Sequence, residues 1–382
     1  MKILLVSDQY YAANNGMTIS ARRFAGVLRQ HGHEVRIMSY GTPDMVEDTD
    51  SAYLLDKYYV PIFNRLVTSQ GMVFAKRTRK VVEAAVDWAD LIHILSPFFL
   101  SHKTIRIAQK KNKPYTAAFH VQPQNITSSI YLGKVNWIND LLYHFFHRYI
   151  YRYCTHIHCP SRFIAQQLVR TGYTEQLHVI SNGIDPDFHY FKRHKPRELR
   201  DKFVILQTGR LSIEKRPDVL IRAVAMSRHA DQIQLVLAGK GPRKKKLQKL
   251  ADKLLKNPVI IQFYSKPELI QLLGYCDLYV HAADVEIEAM SCMEAFASGL
   301  VPVIANSPTS ATPQFALDER SLFEVGNSKD LAEKIDWWLE HPQEREQMEF
   351  RYAELGKKYA LEDCVRQAEA MFEQAVRENH GG

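Results

Sequence analysis

Two doubly wound α/β domains in tandem are what this sequence predicts, and three observations carry the prediction. A chain of 382 residues exceeds what one hydrophobic core usually covers, so two domains are expected. Short aliphatic runs alternate with longer amphipathic ones, the pattern of parallel strands covered by helices on both faces. The alternation occurs twice, on either side of a polar, proline-containing stretch at 183–201, GIDPDFHYFKRHKPRELRD.

In the first half KILLVS, EVRIMSY, DLIHILS, YTAAFH, THIHCPS and LHVISNG read as strands, with helical patterns such as TISARRFAGVLRQHGH between several of them. In the second, FVILQTG, IQLVLAG, VIIQFYS, DLYVHAA and VPVIAN are strands. RPDVLIRAVAMSRH, RKKKLQKLADKLLKN, PELIQLLGYC and SCMEAFASG are the helices between them. Beyond the last strand signal near Leu322 the chain reads as helical to its end. The expected domains are 1–185, 186–356 and a helical segment 357–382 packing back on the first. Ligands of such sheets bind beyond the carboxyl ends of the strands, so two facing sheets predict a cleft.

Composition is that of an ordinary globular protein: 46% apolar, 24% charged, no low-complexity block. MKILLVSD leads straight into a strand pattern, without the apolar region of a signal peptide, and no window has the apolar length of a membrane span. A protein of the cytoplasm is expected, with the inner membrane face as the surface it would touch. Five cysteines lack framework spacing and fit a reducing compartment. CTHIHC gathers Cys154, His156, His158 and Cys159, but strand alternation sends the two histidines to one face and Cys159 to the other, which disfavours a metal site.

The net charge of +8 is concentrated in HKTIRIAQKKNK and GKGPRKKKLQKLADKLLK. Charge runs are usually solvated helix faces; the sharper reading is attraction to an anionic membrane, and no nucleic-acid motif is present. GKVNWINDLLYHFFHRYIYRY, at 133–153, places Trp137, Leu141, Phe145 and Tyr149 on one helical stripe. Such stripes more often belong to a core than to a membrane contact.

The loops after the second-half strands carry the chemistry. QTGRLSIEK brings Gly209, Arg210 and Lys215 to a strand end, two cations suited to a diphosphate. LVLAGKGP, with Lys240 and Gly241, lacks the third glycine of the dinucleotide fingerprint, which disfavours a nicotinamide or flavin enzyme. In VEIEAMSCMEAFASG, Glu286 precedes a helix that Ser291 is placed to cap and Gly299 to end, and Glu294 lies about a turn inside. Helix-end amides between the carboxylates suit an anion, and each carboxylate can accept from vicinal hydroxyls, the layout of a nucleotide-sugar site. His120, one of 16 histidines, is singled out by its place at the end of YTAAFH.

In combination GHEV, CPS, NGID, GRL with its lysine, AGKGP and the E-x7-E element before ASG resemble a family-4 (group 1) glycosyltransferase of the GT-B fold over essentially the whole chain. The resemblance implies a retaining, metal-independent enzyme with a nucleotide sugar as co-substrate and no other cofactor. It implies that Glu286 holds donor-sugar hydroxyls, Glu294 the ribose, and Arg210 with Lys215 the diphosphate, while His120 reaches the donor sugar and Gly16 faces the diphosphate. The loop departs from the family: Ile287, Glu288, Ala289 and then Met290 stand where Pro-Phe-Gly is usual, so Glu288 is an alternative sugar ligand. A DxD, Asp185 and Asp187, matches the interdomain hinge. The VEIEAMSCMEAFASG element resembles glycolipid-forming members, which implies transfer of a UDP-linked glucose or galactose to a lipid such as diacylglycerol. Alternatives are an enzyme of capsule or cell-wall glycan assembly, a glycoside hydrolase built on paired carboxylates, and a non-catalytic nucleotide-sugar-binding module.

Overall fold

The computed structural model describes residues 1–11, 16–46, 48–59, 73–128, 133 and 135–380. It divides into two units, Met1–Gly183 with Leu361–Gly382, and Ile184–Ala360. The boundaries expected at 185 and 356 therefore fall at 183 and 360. The physical reason is that the second unit's two ends pair with each other: the Ile184 N–H donates to the Tyr359 carbonyl at 2.7 Å, and Ile184 bridges to Ala360.

The first unit holds β1 (Lys2–Val6), α1 (Gly16–Gln30), β2 (Glu34–Tyr40), β3 (Ala52–Leu55), β4 (Lys57–Tyr58), β5 (Phe74–Ala75), α2 (Arg79–Trp88), β6 (Leu91–Ile94) and α3 (Phe99–Lys110). β7 (Tyr115–Ala118), α4 (Pro123–Ser128), α5 (Asn136–Tyr149), β8 (His156–Cys159), α6 (Arg162–Arg170) and β9 (Gln176–Val179) follow. Seven strands form a parallel sheet in the order β3-β2-β1-β6-β7-β8-β9, and β4 and β5 make a small antiparallel pair. Four-residue runs such as LIHI and HIHC are buried throughout, as strands covered on both faces must be. The chain's last helix, α13 (Leu361–His380), lays Val365, Ala368 and Phe372 into a core shared with Leu5, Phe24 and Ile37. At one end of this contact His31 stands between Glu362 and Glu369 at 2.7 and 2.9 Å.

The second unit runs β10 (Phe203–Thr208), α7 (Pro217–Met226), β11 (Ile233–Ala238), α8 (Lys244–Leu254), β12 (Ile260–Gln262), α9 (Lys266–Tyr275), β13 (Leu278–His281), α10 (Met290–Ala297), β14 (Pro302–Asn306) and β15 (Leu322–Glu324), closed by α11 (Ser328–Glu340) and α12 (Pro342–Lys357). Its six parallel strands are ordered β12-β11-β10-β13-β14-β15. In both sheets the order reverses once, between β1 and β6 and between β10 and β13. Loops on either side of such a reversal diverge and leave a crevice at the carboxyl ends.

The expected exit of α10 at Gly299 is a Schellman turn. The Gly299 N–H donates to the Phe296 carbonyl and the Leu300 N–H to that of Ala295, with Gly299 at a φ of 91°. The aromatic stripe departs from the core reading. Trp137, Leu141 and Phe145 are 69, 62 and 51% exposed, while α5 turns Asn139, Tyr143 and Phe146 inward. Two apolar faces compete on this helix, and the core takes the one carrying Tyr143, whose ring stacks on Phe119 at 5.7 Å.

Glycines set the spacing of two loops in the second unit. A methyl group on Gly239 would lie 1.9 Å from the Gly209 carbonyl oxygen, and one on Gly241 2.4 Å from that of Leu211. The loops after β10 and β11 thus touch backbone to backbone, joined by the Leu211 N–H on the Lys240 carbonyl at 2.9 Å. Gly239→Ala is predicted to destabilise the protein by about 3 kcal/mol, the scale of an overpacked interior. Gly26→Ala, in open space within α1, should stabilise it by roughly 0.5–1 kcal/mol. Urea unfolding of both variants checks this; a wild-type midpoint for Gly239→Ala would show that the two loops are free to part.

Candidate active site

The chemistry of the second unit gathers at the reversal between β10 and β13. The loop after β10 carries Gly209, Arg210 and Lys215; the loop after β13 carries Glu286 and leads into α10 with Glu294. Glu286, only 8% exposed, is ion-paired with Lys215, and its Oε1 lies 3.0 Å from His281 Nε2. Burial pushes the Glu286 carboxyl up, but the Lys215 charge and the His281 hydrogen bond outweigh it and bring it down to about 2. The carboxyl is therefore ionised and can only accept, so His281 Nε2 carries the proton of that bond.

A buried polar chain continues inward. His281 Nδ1 is 3.3 Å from the Tyr279 phenol oxygen, which lies 3.2 Å from both the Thr208 and Ser291 hydroxyls. Burial raises the phenol well above its ordinary range and keeps it neutral. Ser291 thus does not cap α10, contrary to the sequence expectation. Its side chain is committed to Tyr279, and the cap position falls to Ala289 in the left-handed region at a φ of 68°. The Ala289 carbonyl accepts from the Cys292 and Met293 amides at 2.9 and 3.2 Å, so Met290 and Ser291 supply the first helix amides without an intrahelical acceptor.

Both flanks of the Glu286 loop are stitched down. Asp284 receives Arg216 at 3.2 Å, and its N–H donates to the Glu214 carbonyl at 2.8 Å. From the β14 side, Thr309 donates to the Asp284 carbonyl at 2.7 Å and the Ala311 N–H to that of Glu286 at 2.9 Å. Sequence reasoning missed His281, Asp284, Arg216 and Thr309. A histidine ending a strand and an Arg–Pro pair opening a helix were the available signals.

Around this anchored loop stand cations with different degrees of commitment. Arg210 is exposed and its side chain has no hydrogen-bond or ion-pair partner among the described residues. Lys240 is exposed, its ammonium 4.3 Å from the centroid of the Phe263 ring. Gly209 adopts a φ of 134°, which a side chain would disfavour, and Gly241 serves the loop contact already described. Glu294 is half-buried within α10, whereas Glu288 is 2% exposed and engaged in a contact. Asp185 and Asp187 both pair with Lys266, at 2.6 and 2.7 Å.

His120 lies in the first unit, just beyond β7. Burial and the neighbouring His158 lower it to about 3, so it is a neutral imidazole. Its ring lies edge-on to His158 at 5.3 Å, beside a cavity of about 20 Å3 that His93, Ser20 and Phe372 also line, room for one water. Gly16 opens α1, and a methyl group there would meet nothing within 4 Å; the loop residues 12–15 before it lie outside the described residues. Of CTHIHC, His156 bonds His178 and Glu378, both at 3.0 Å, and His158 donates to the Ile180 carbonyl. Among the described residues no group of three or more His, Cys, Asp or Glu side chains is arranged to hold a metal ion.

Two sheets of this topology, each with its reversal, define a GT-B protein, and a solved structure shares the architecture over nearly the whole chain. HepE from Anabaena, in complex with UDP and glucose, superposes with a TM-score of 0.76 over 98% of this chain and 100% of its own, at 17% identity. Residues 14–188 match the model of Glycosyltransferase Family 4 and residues 190–353 that of Glycosyl transferases group 1. The chain belongs to this glycosyltransferase family. An alpha-monoglucosyldiacylglycerol synthase from Streptococcus pneumoniae is 26% identical over 80% of this chain and 71% of its own. A GDP-mannose-dependent alpha-mannosyltransferase from Corynebacterium glutamicum is 24% identical over 89% and 80%. The catalytic domain of cholesterol-alpha-glucosyltransferase from Helicobacter pylori aligns with 41% of this chain and 99% of its own, at 54% identity and a TM-score of 0.40.

The Glu286 carboxyl gives a signed pH prediction. Its folded value near 2 lies below the ordinary 4.5, so its stabilisation is fully present above about pH 4.5 and is lost as pH falls towards 2. The amount is on the order of 3 kcal/mol. Glu286→Gln should therefore be less stable than wild type in urea at pH 6, with the gap closing by pH 2.5. An equal gap at both pH values would rule out an ionised Glu286 as its source.

Proposed function

We propose that the protein moves a hexose from a UDP-sugar, glucose or galactose, to the hydroxyl of a membrane lipid such as diacylglycerol, with retention of configuration and without a metal. For the lipid acceptor one observation carries most weight: the exposed Trp137–Leu141–Phe145 face of α5, with the exposed cations Arg148 and Arg152 at its end. An apolar face edged by arginine suits an anionic bilayer, and each cation near such a surface contributes about 1 kcal/mol. The likeness to a glucosyldiacylglycerol synthase supports the same reading, and the likeness to GDP-mannose enzymes names the competing donor.

In this reading Arg210, Lys215 and the amides of Met290 and Ser291 take the diphosphate and stabilise its charge as it leaves. Fixed donors aimed at developing charge are usually the largest single contribution to such catalysis. Glu294 accepts from the ribose hydroxyls and Glu286 from those of the sugar; Gly16, Lys240 and Gly241 border the donor, and His120 donates or accepts at the sugar as a neutral imidazole. The acceptor hydroxyl attacks from the face the diphosphate leaves.

Purified protein incubated with labelled UDP-glucose, UDP-galactose or GDP-mannose and anionic vesicles containing diacylglycerol or a sterol should place label in the organic phase from a UDP-sugar. Label that moves only to a glycan or polyprenyl acceptor would overturn the lipid reading. Arg210→Ala should lower kcat about a hundredfold, and Glu294→Ala should raise the donor KM at least tenfold; wild-type kinetics in both would displace the site. Vesicle binding should weaken between 0.05 and roughly 0.5 M salt as exposed charges are screened. Binding unaffected by salt would leave apolar insertion alone as its source.

A further inference from the structure

A file of aromatic rings runs from the carboxyl ends of β1 and β6 to the exposed face of α5. Phe98, two residues beyond Ser96 at the end of β6, meets Phe74 edge-on at 5.0 Å. Phe74 continues to Phe99 at 6.1 Å, Phe99 to Tyr149 at 6.3 Å, and Tyr149 to Phe145 at 5.5 Å. The inner end is anchored: the amide of Ala75, next to Phe74, donates to the buried Asp8 carboxylate at 3.1 Å, and Ser96 donates to its other oxygen at 3.3 Å. Phe74 and Phe98 are thereby held at the reversal point of the first sheet, where the reacting end of a ligand belongs.

The rings do not close into a core. Phe74 is buried, but Phe99 is 38% and Phe145 51% exposed, and Tyr149 and Phe98 are half-buried. Rings free to bury one another fully would do so, since each removes roughly 150–250 Å2 from water. From Phe99 outward this row keeps one side open. Its outer end joins Leu141 and Trp137, and the Arg77 guanidinium lies 5.3 Å from the Phe99 ring and 5.6 Å from that of Tyr58, a cation placed to meet an anionic interface.

We infer that this file is the subsite for the apolar body of the lipid acceptor, carrying one lipid from the bilayer contact at α5 to the strand ends with its hydroxyl leading. The inference rests on the lipid-acceptor reading above. The occupant is set by the layout: a single file of rings, open on one side from Phe99 to Phe145, apolar at the membrane end and closed at the strand ends by Phe74 beside the polar Asp8 and Ser96, matches one amphiphile lying lengthwise. A docked protein helix would need a groove several side chains wide.

The experiment measures transfer in detergent mixed micelles, which remove the need for vesicle docking, using dihexanoylglycerol and dioleoylglycerol as acceptors. Wild type should show a lower KM for the long-chain acceptor. Phe99→Ala and Tyr149→Ala should each raise that KM about tenfold with kcat little changed and erase the preference for chain length. Phe99→Leu, which keeps apolar bulk, should recover most of it. Trp137→Ser should weaken vesicle binding, and Met226→Ala, an exposed apolar residue of the second unit, should alter neither vesicle binding nor the micellar KM. Wild-type KM values for Phe99→Ala and Tyr149→Ala, in an enzyme that does glycosylate diacylglycerol, would overturn the subsite and leave the function standing. Absence of any lipid product from wild type would overturn both.

Discussion

Everything at the candidate site depends on a carboxylate held almost out of water. Glu286 is forced inward by its position between the strand end of β13 and the cap of α10, and an isolated charge there would be prohibitively costly. Lys215 and His281 make it tolerable, and each comes from a different side of the sheet's reversal point. The pair therefore joins two loops that the topology would otherwise let diverge. Asp284 repeats the device two residues earlier with Arg216, whose left-handed backbone at a φ of 47° is held by that contact and by Asp218. The crevice of a parallel sheet is a vacancy by topology; these half-buried ion pairs give it a fixed wall.

The glycines supply the other wall. Gly239 and Gly241 are needed for the contact between neighbouring loops, which places Arg210 and Lys240 on adjacent strand ends without a side chain between them. A glycine pair after a strand invites a phosphate-cradle reading, and here the protein's own backbone occupies that space. The cations beside it, one unpartnered among the described residues and one resting on Phe263, are what remains for an anion.

How much of this could be read from the sequence follows from where the determining forces act. The central strands of both sheets were readable because they are covered on both faces and leave continuous apolar runs, and the placement of Glu286 and Glu294 was readable because one precedes and the other lies inside a single helix. What escaped depends on tertiary competition. Ser291 has the chemistry of a cap, yet Tyr279 claims its hydroxyl, so the helix starts two residues earlier on a strained alanine. Trp137, Leu141 and Phe145 repeat at core spacing, yet Tyr143 and Phe146 on the same helix win the interior. The strands Lys57–Tyr58 and Phe74–Ala75 are too short for periodicity to mark, and Phe74–Ala75 is tied down by Asp8, far away in sequence. His281 ends a strand as His120 does, but its role became legible only with Lys215 and Glu286 beside it.

The same ion pair constrains how a donor can enter. The Lys215 ammonium has three donors but one positive charge, so a diphosphate that draws it away weakens its hold on Glu286. If the donor sugar presents hydroxyls to Glu286 as the proposed function requires, those hydroxyls replace the hydrogen bonds that Lys215 withdraws, and His281 retains the third. The carboxylate then stays satisfied while the ammonium turns to the phosphates. A nucleoside diphosphate without its sugar offers Lys215 an anion but leaves Glu286 short of a partner, which costs about 1–3 kcal/mol at a buried acceptor. On the proposed function, the pairing of one lysine would then discriminate between donor and spent nucleotide. That is the direction an enzyme needs if its product is to leave.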